Sequence, residues 1–223
     1  MFNFLDKPPL LPITTTSIDG KRYYLTPDGQ KLPSVTTVLG AFEKAGITKW
    51  KNRVGEKEAG VITRRAATRG TSFHTLAEEY IQNKDIDYKA LQPDMAVYFK
   101  RFTKLLDHIN NIHYIEVPLY SYKLGVAGRT DCIGEYDGIL SIIDHKSSMK
   151  IKKKEWITHY FEQETAYALM YFHMTGIPIE QIVILIHEDE GSEPRAFIEK
   201  TKDYILSLKS KIQRYKEMYP NVS

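Results

Sequence analysis

The stretch GRTDCIGEYDGILSIIDHKSS, residues 128–148, decides the fold. Two β-rich segments, 125–136 and 139–146, flank Tyr136-Asp137-Gly138, where a hairpin turn belongs. Folding one segment back on the other sets Asp131 against Asp144 and Lys146. A separation of two residues puts Asp144 and Lys146 on the same strand face. Ile139, Leu140, Ile142 and Ile143 make the second strand strongly apolar. An acid and a lysine at the end of such a strand stand where a site is expected rather than a surface. Converging carboxylates suit a hard divalent cation such as Mg²⁺, which takes carboxylate oxygens plus waters and lowers the pKa of water. Lys146 would orient that water or stabilise charge on an attacked phosphate.

Outward from the hairpin, the period of the sequence changes. Residues 114–120 read as one more strand before it, and 154–175 as a helix after it. A buried strand at 182–186, a shorter one at 195–198 and a C-terminal helix at 202–219 follow. Before the hairpin the pattern is helical. Ser34 can cap a helix over 35–44, and 48–68 carries Trp50, Val54, Ala59, Ile62 and Ala66 at helix-like intervals. Gly70-Thr71 is expected to break that pattern, with Thr71 or Ser72 capping a new helix through Ile81, and another helix covers 94–110. Residues 1–20, rich in Pro and Thr, are expected to be irregular, and 22–26 with Pro27-Asp28-Gly29 to form a small hairpin. The order predicts an α/β protein with a central mixed β-sheet flanked by helices and a mostly helical N-terminal extension. A single domain is the default for 223 residues. It divides into an N-terminal part (1–111), a core (112–200) and a C-terminal helix (201–223).

Composition narrows the function. Thirty-one Lys+Arg against 28 Asp+Glu leave a net charge of +3, so any basic surface must be local. Cys132 is the single cysteine, which excludes an internal disulfide and a four-cysteine cluster. There is no G-x-x-x-x-G-K-[ST] loop, so the chain is no ATP-driven helicase-nuclease by itself. The N-terminal sequence MFNFLDKPPLLP has neither a signal nor a transit pattern, and no apolar run is long enough to span a bilayer. The expectation is a cytoplasmic protein, in a bacterial cell or a phage-infected host, with no membrane partner.

Gly128-Arg129-Thr130-Asp131 followed by Asp144-His145-Lys146 resembles the PD-(D/E)XK nuclease superfamily. Further motifs resemble its RecB-like branch. Gly70-Thr71-Ser72-Phe73-His74 matches a G-x-x-x-H motif, with Glu78 one helical turn later. Glu116 lies on the preceding strand, Gln163 to Tyr167 matches Q-x-x-x-Y, and Ser147 and Ser148 follow the lysine. Leu32 to Leu39 and the Trp50, Arg53, Gly55 pattern resemble, within that branch, the mitochondrial genome maintenance exonucleases and their phage relatives. The likeness covers roughly residues 20–205. The two short motifs are weak singly, and their order around the D…D-x-K hairpin is the strong signal. The proline of the superfamily's name is missing before Asp131.

The resemblance implies a restriction-endonuclease-like core and hydrolysis of DNA with Mg²⁺, for which Mn²⁺ substitutes. It implies Asp131, Asp144, Glu116 and His74 as metal ligands, and Lys146, Gln163 and Tyr167 as further catalytic residues. Arg64, Arg65, Arg69, Lys150, Lys152 and Lys153 are candidates for phosphate contacts, as is Lys154, although singly a solvated face suits each of them. Trp50, Phe73 and Tyr160 are candidates for base stacking, or else core residues. No histidine besides His74 shows metal-ligand spacing. Three readings stand: an exonuclease acting from a free end of single-stranded DNA, a structure-specific endonuclease on the same fold, and a non-catalytic DNA-binding module. Intact Asp131, Asp144 and Lys146 speak against the third.

Overall fold

The computed structural model describes residues 1–189 and 193–220. Strands β1 (Thr14–Ile18), β2 (Lys21–Leu25) and β3 (Lys31–Pro33) form a small antiparallel sheet. Helices α1 (Val35–Gly40), α2 (Lys44–Val54), α3 (Glu56–Ile81) and α4 (Pro93–Leu106) follow. The central sheet contains β4 (Ile109–Ser121), β5 (Val126–Tyr136), β6 (Ile139–Ser148), β7 (Gln181–Glu188) and β8 (Arg195–Lys200) in that spatial order. Helix α5 (Thr158–Thr175) links β6 to β7, and α6 (Ile205–Met218) follows β8. All pairs in this sheet are antiparallel except β6 with β7. A parallel pair needs a long crossover, and α5 supplies it. The expected mixed sheet flanked by helices is therefore present, and the two later strands extend the three-stranded centre to five.

Side-chain alternation sorts the sheet into two cores. Ile133, Ile142, Ile182, Ile184 and Ile186 pack with α1, α5 and α6, whereas Cys132, Ile143, Val183 and Leu185 pack with α3 and α4. Strand β7 is buried on both faces, which is why its sequence is a continuous aliphatic run rather than an alternating one. Each fully buried aliphatic side chain of that run contributes about 1.5–3 kcal/mol. At the β5–β6 turn Asp137 and Gly138 both have positive φ, 50° and 78°, the requirement of a tight two-residue hairpin connection.

Three sequence expectations need correction. The helical pattern breaks at Gly55 (φ 87°), not at Gly70, so α3 runs unbroken for 26 residues through the G-x-x-x-H motif. Glycine inside a helix weakens it but need not end it. Gly70 sits where α3 passes Ser147, and a β-carbon there would lie 3.8 Å from the Ser147 hydroxyl. Residues 14–18, expected to be irregular, pair with β2. Helix α4 ends at Leu106, because the chain from Ile109 is already extended into β4. The last three residues of the 201–223 segment lie outside the described residues. No helix among the described residues is long and apolar enough to cross a membrane.

Candidate active site

The site opens where two strands part. The β5–β6 ladder runs from Tyr136 opposite Ile139 to Cys132 opposite Ile143, one step short of Asp131 and Asp144. Beyond that step β5 stays with β4, through Thr130 opposite Val117 to Val126 opposite Ser121. Strand β6 instead stays with β7, through Asp144 opposite Ile184 to Ser148 opposite Glu188. The two catalytic-looking acids thus stand at the fork. Asp131 Oδ2 accepts a hydrogen bond from the His145 backbone N–H at 2.9 Å, which ties the two prongs together.

Asp144 points to the α5 side, in register with Ile142, and is 2% exposed. The Lys146 ammonium lies across both of its oxygens, donating to Oδ1 at 2.6 Å. Burial raises the Asp144 pKa, opposed chiefly by Lys146. Burial also disfavours the Lys146 ammonium, but the carboxylates of Asp144 and Asp131 outweigh it and hold the lysine protonated. His74, from α3, brings Nδ1 to 3.3 Å from Asp131 Oδ2. His145 faces the other side from its neighbours, yet its Nδ1 comes to 3.7 Å from the same oxygen. Ligand atoms of His74, Asp131 and His145 all lie within 4.8 Å of one another. Burial pushes the His145 pKa down to about 3, so its ring is neutral with a lone pair to offer.

Glu116 joins from β4 at φ 50°, an uncommon conformation for a residue with a side chain and a local source of strain. Its carboxyl is pushed up to about 7 by burial and then by Asp131, while Arg129, 3.4 Å away, opposes the shift. From α5, Gln163 and Tyr167 face the fork one turn apart. Gly128 makes room for Tyr167, because a side chain at 128 would run into the phenol ring. Tyr167 is buried and its pKa lies well above the usual value for the same reason, so the phenol keeps its proton.

These side chains share one cavity of about 530 Å³, which brings together all seven expected catalytic positions: His74, Glu116, Asp131, Asp144, Lys146, Gln163 and Tyr167. The N-terminal sheet closes another side with Arg22 and Tyr24, and the start of α1 with Ser34 and Thr36. It reaches the fork because Tyr24 and Leu32 pack on Ala127 and Ser34 bridges to Ala127. Sequence reading had no signal for this wall, since those residues lie ninety or more positions before β5. His145 was passed over because it alternates with Asp144 and Lys146, and only the parting of the strands brings it near Asp131.

None of the expected phosphate contacts lines the cavity. Arg69 is ion-paired with Asp189. Arg64 and Arg65 are exposed on α3, and Lys150 and Lys153 are exposed after β6. Lys152 is half-buried, and its backbone N–H donates to Glu188 Oε1 at 2.5 Å. Lys154 pairs with Glu199 at 2.5 Å. Of the expected stacking residues, Phe73 is core, Trp50 is half-buried, and the Tyr160 ring lies 5.2 Å from the Lys146 ammonium.

No family model matches the chain. It is similar to mitochondrial genome maintenance exonuclease 1 of Mus musculus, 26% identical over 129 residues that make up 54% of this chain and 38% of that protein. The proteins of the same name from Xenopus tropicalis and Homo sapiens are each 28% identical, over 54% of this chain and 37% and 38% of their own lengths. The matched stretch therefore spans little more than a third of these curated relatives. A crystal structure of SSO0001 superposes with a TM-score of 0.47 and 13% identity, covering 84% of this chain and 76% of that one.

Proposed function

We propose that the chain is one nuclease domain of the PD-(D/E)XK kind, RecB-like branch, that hydrolyses phosphodiester bonds of single-stranded DNA from a free end. One observation carries the proposal: acids from three strands, a histidine from α3, a half-buried lysine and the polar pair of α5 converge on one cavity at the fork. The similarity to proteins named as exonucleases supports it.

The donor set fits a divalent cation. Asp131 and the neutral His145 offer an oxygen and a nitrogen close to the His74 ring, and the buried Asp144 and the half-buried Glu116 add carboxylates to the same cavity. His74, Asp131, Asp144 and Glu116 would hold Mg²⁺, with Mn²⁺ substituting, and His145 would add a ligand that favours the softer ion. Such an ion supplies Lewis-acid activation of water and of the phosphate. Lys146, held protonated, is placed to orient the attacking water and to stabilise the charge that grows on the phosphate oxygens. The neutral Tyr167 phenol and the Gln163 amide donate hydrogen bonds to the substrate backbone. Arg22 and Arg129 contact flanking phosphates from the rim, a role expected instead of Arg69, whose charge Asp189 already engages. The proposed preference for one flexible strand over a duplex rests on α3 and the N-terminal residues lining the cavity opposite the strands.

The test is digestion of end-labelled linear single-stranded, linear duplex and circular single-stranded DNA, with Mg²⁺ or with EDTA. Stepwise shortening of the linear single strand, only with metal, is expected. Rapid nicking of the circle would replace the proposal by an endonuclease, and equal attack on blunt duplex would remove the strand preference.

A further inference from the structure

Between the end of β6 and the start of α5 lies a segment that the site does not use. Met149, Ile151 and Trp156 are exposed there to 49%, 48% and 60%. Three large apolar side chains facing water within eight residues would ordinarily be disfavoured. The backbone beneath them is pinned rather than loose. The Lys152 N–H donates to Glu188, the Arg195 guanidinium donates to the Lys152 carbonyl, and the Ser148 hydroxyl donates to the Lys150 carbonyl at 2.8 Å. The Trp156 N–H donates to the Lys153 carbonyl at 3.0 Å, and Ile157 beside it is buried. The indole is therefore presented to solvent by a fixed turn.

Ammonium groups alternate with these apolar side chains. Lys150 and Lys153 are exposed, and Lys153 Nζ sits 5.3 Å from the centre of the Trp156 ring. The segment also borders the site at both ends: it leaves the strand of Asp144 and Lys146 and enters the helix of Tyr160 and Gln163. A flat aromatic face with cations around it matches a strand whose bases are unpaired and whose phosphates are evenly spaced. The bases stack on the ring and the phosphates meet the lysines. In a duplex the base faces are already stacked on one another and cannot offer themselves to an indole.

We propose that Trp156 is a base-stacking subsite for single-stranded DNA beside the scissile phosphate, with Lys150 and Lys153 as its phosphate contacts. This rests on the nuclease reading. The chain has only two tryptophans, Trp50 and Trp156, so in a Trp50→Phe variant the emission reports Trp156 alone. The measurement is a titration of that full-length variant with an oligothymidylate in EDTA, recording tryptophan emission and the anisotropy of a label on the DNA. Quenching that saturates together with the anisotropy is expected, with little quenching by a hairpin duplex. Trp156→Ala is expected to weaken binding roughly five- to hundred-fold. With Mg²⁺ it should raise KM on single strands far more than it lowers kcat, and Trp156→Phe should restore most of the loss. Saturating anisotropy without quenching, or unchanged affinity of Trp156→Ala, overturns the subsite and leaves the nuclease reading in place. Emission that changes with protein concentration alone would make this face a contact between copies and also overturn it. If the unmodified protein binds no nucleic acid at all, both readings fall.

Discussion

Asp144 and Glu188 lie on neighbouring strands, and both are 2% exposed, yet they are held in opposite ways. Glu188 is saturated. Its Oε1 accepts from the Lys152 N–H and from Arg195 Nη2 at 2.7 Å, and its Oε2 accepts from Arg195 Nε at 2.8 Å. Among the described residues Asp144 has Lys146 as its one hydrogen-bond donor, Asp131 adds negative charge beside it, and the buried carboxyl of Glu164 crowds it further. Glu164 is fully buried, with no well-formed hydrogen bond to either oxygen among the described residues. Taking a carboxylate out of water costs several kcal/mol, which a saturated set of donors offsets and an unsaturated one does not. A fold stabilising itself would build the Glu188 arrangement. The Asp144 arrangement makes sense for a site that expects positive charge from outside.

The comparison breaks first at Asp144. Asp144→Asn should lower cleavage by about three orders of magnitude, the upper range for removing one preorganised electrostatic partner, with the circular dichroism unchanged. Full cleavage by a folded Asp144→Asn protein would show that its unsaturated environment is not catalytic. Lys146→Ala should follow, with a loss of about a hundredfold in turnover and DNA binding largely kept, since the ammonium acts on developing charge. Normal turnover with weakened binding would make Lys146 a positioning contact.

Glu188→Ala tests the other half. It leaves the Arg195 guanidinium and the Lys152 N–H without their acceptor. Because Arg195 is 40% exposed, the cost should stay near the lower end for broken buried pairs, about 2–3 kcal/mol in urea denaturation. Turnover should stay within the same order of magnitude at a temperature where the variant is folded. A turnover loss as deep as that of Asp144→Asn would erase the distinction between the two carboxylates.

What the sequence made legible follows the same division. The strands of the central sheet and the places of Asp131, Asp144 and Lys146 on them were readable because alternation and turn chemistry are local, and β6 encodes both in ten residues. The unbroken α3 was not, because Gly70 carries the same local signal whether a helix ends there or merely passes Ser147 closely. Arg22, Ser34 and Thr36 were illegible because only the packing of Tyr24 and Leu32 on Ala127 brings them to the fork. The pairing of Arg69 with Asp189 spans 120 residues, so charge alone read as a free phosphate contact. Trp156 carried no periodic signal, and its exposure is a fact of the pinned turn beneath it.

The smallest expected effect is also the sharpest probe of the crowding. Burial, and then Asp144, hold the Glu164 pKa well above its ordinary 4.5, so the native state keeps a proton that the unfolded chain gives up. Where the native state binds more protons than the unfolded one, stability falls as pH rises. The loss therefore begins near pH 4.5 and continues up to the raised native pKa, at no more than about 1.4 kcal/mol per pH unit for one proton. Glu164→Gln keeps the shape of the protonated acid and cannot ionise. Its unfolding free energy should match the unmodified protein near pH 4 and exceed it by a margin that widens toward pH 8. Denaturant titrations of both proteins across that range supply the test. Parallel curves would mean that Glu164 is ionised in the folded protein and shares Lys146 with Asp144. The fork would then hold one more negative charge than the reading above allows, and its demand for an external cation would be greater still.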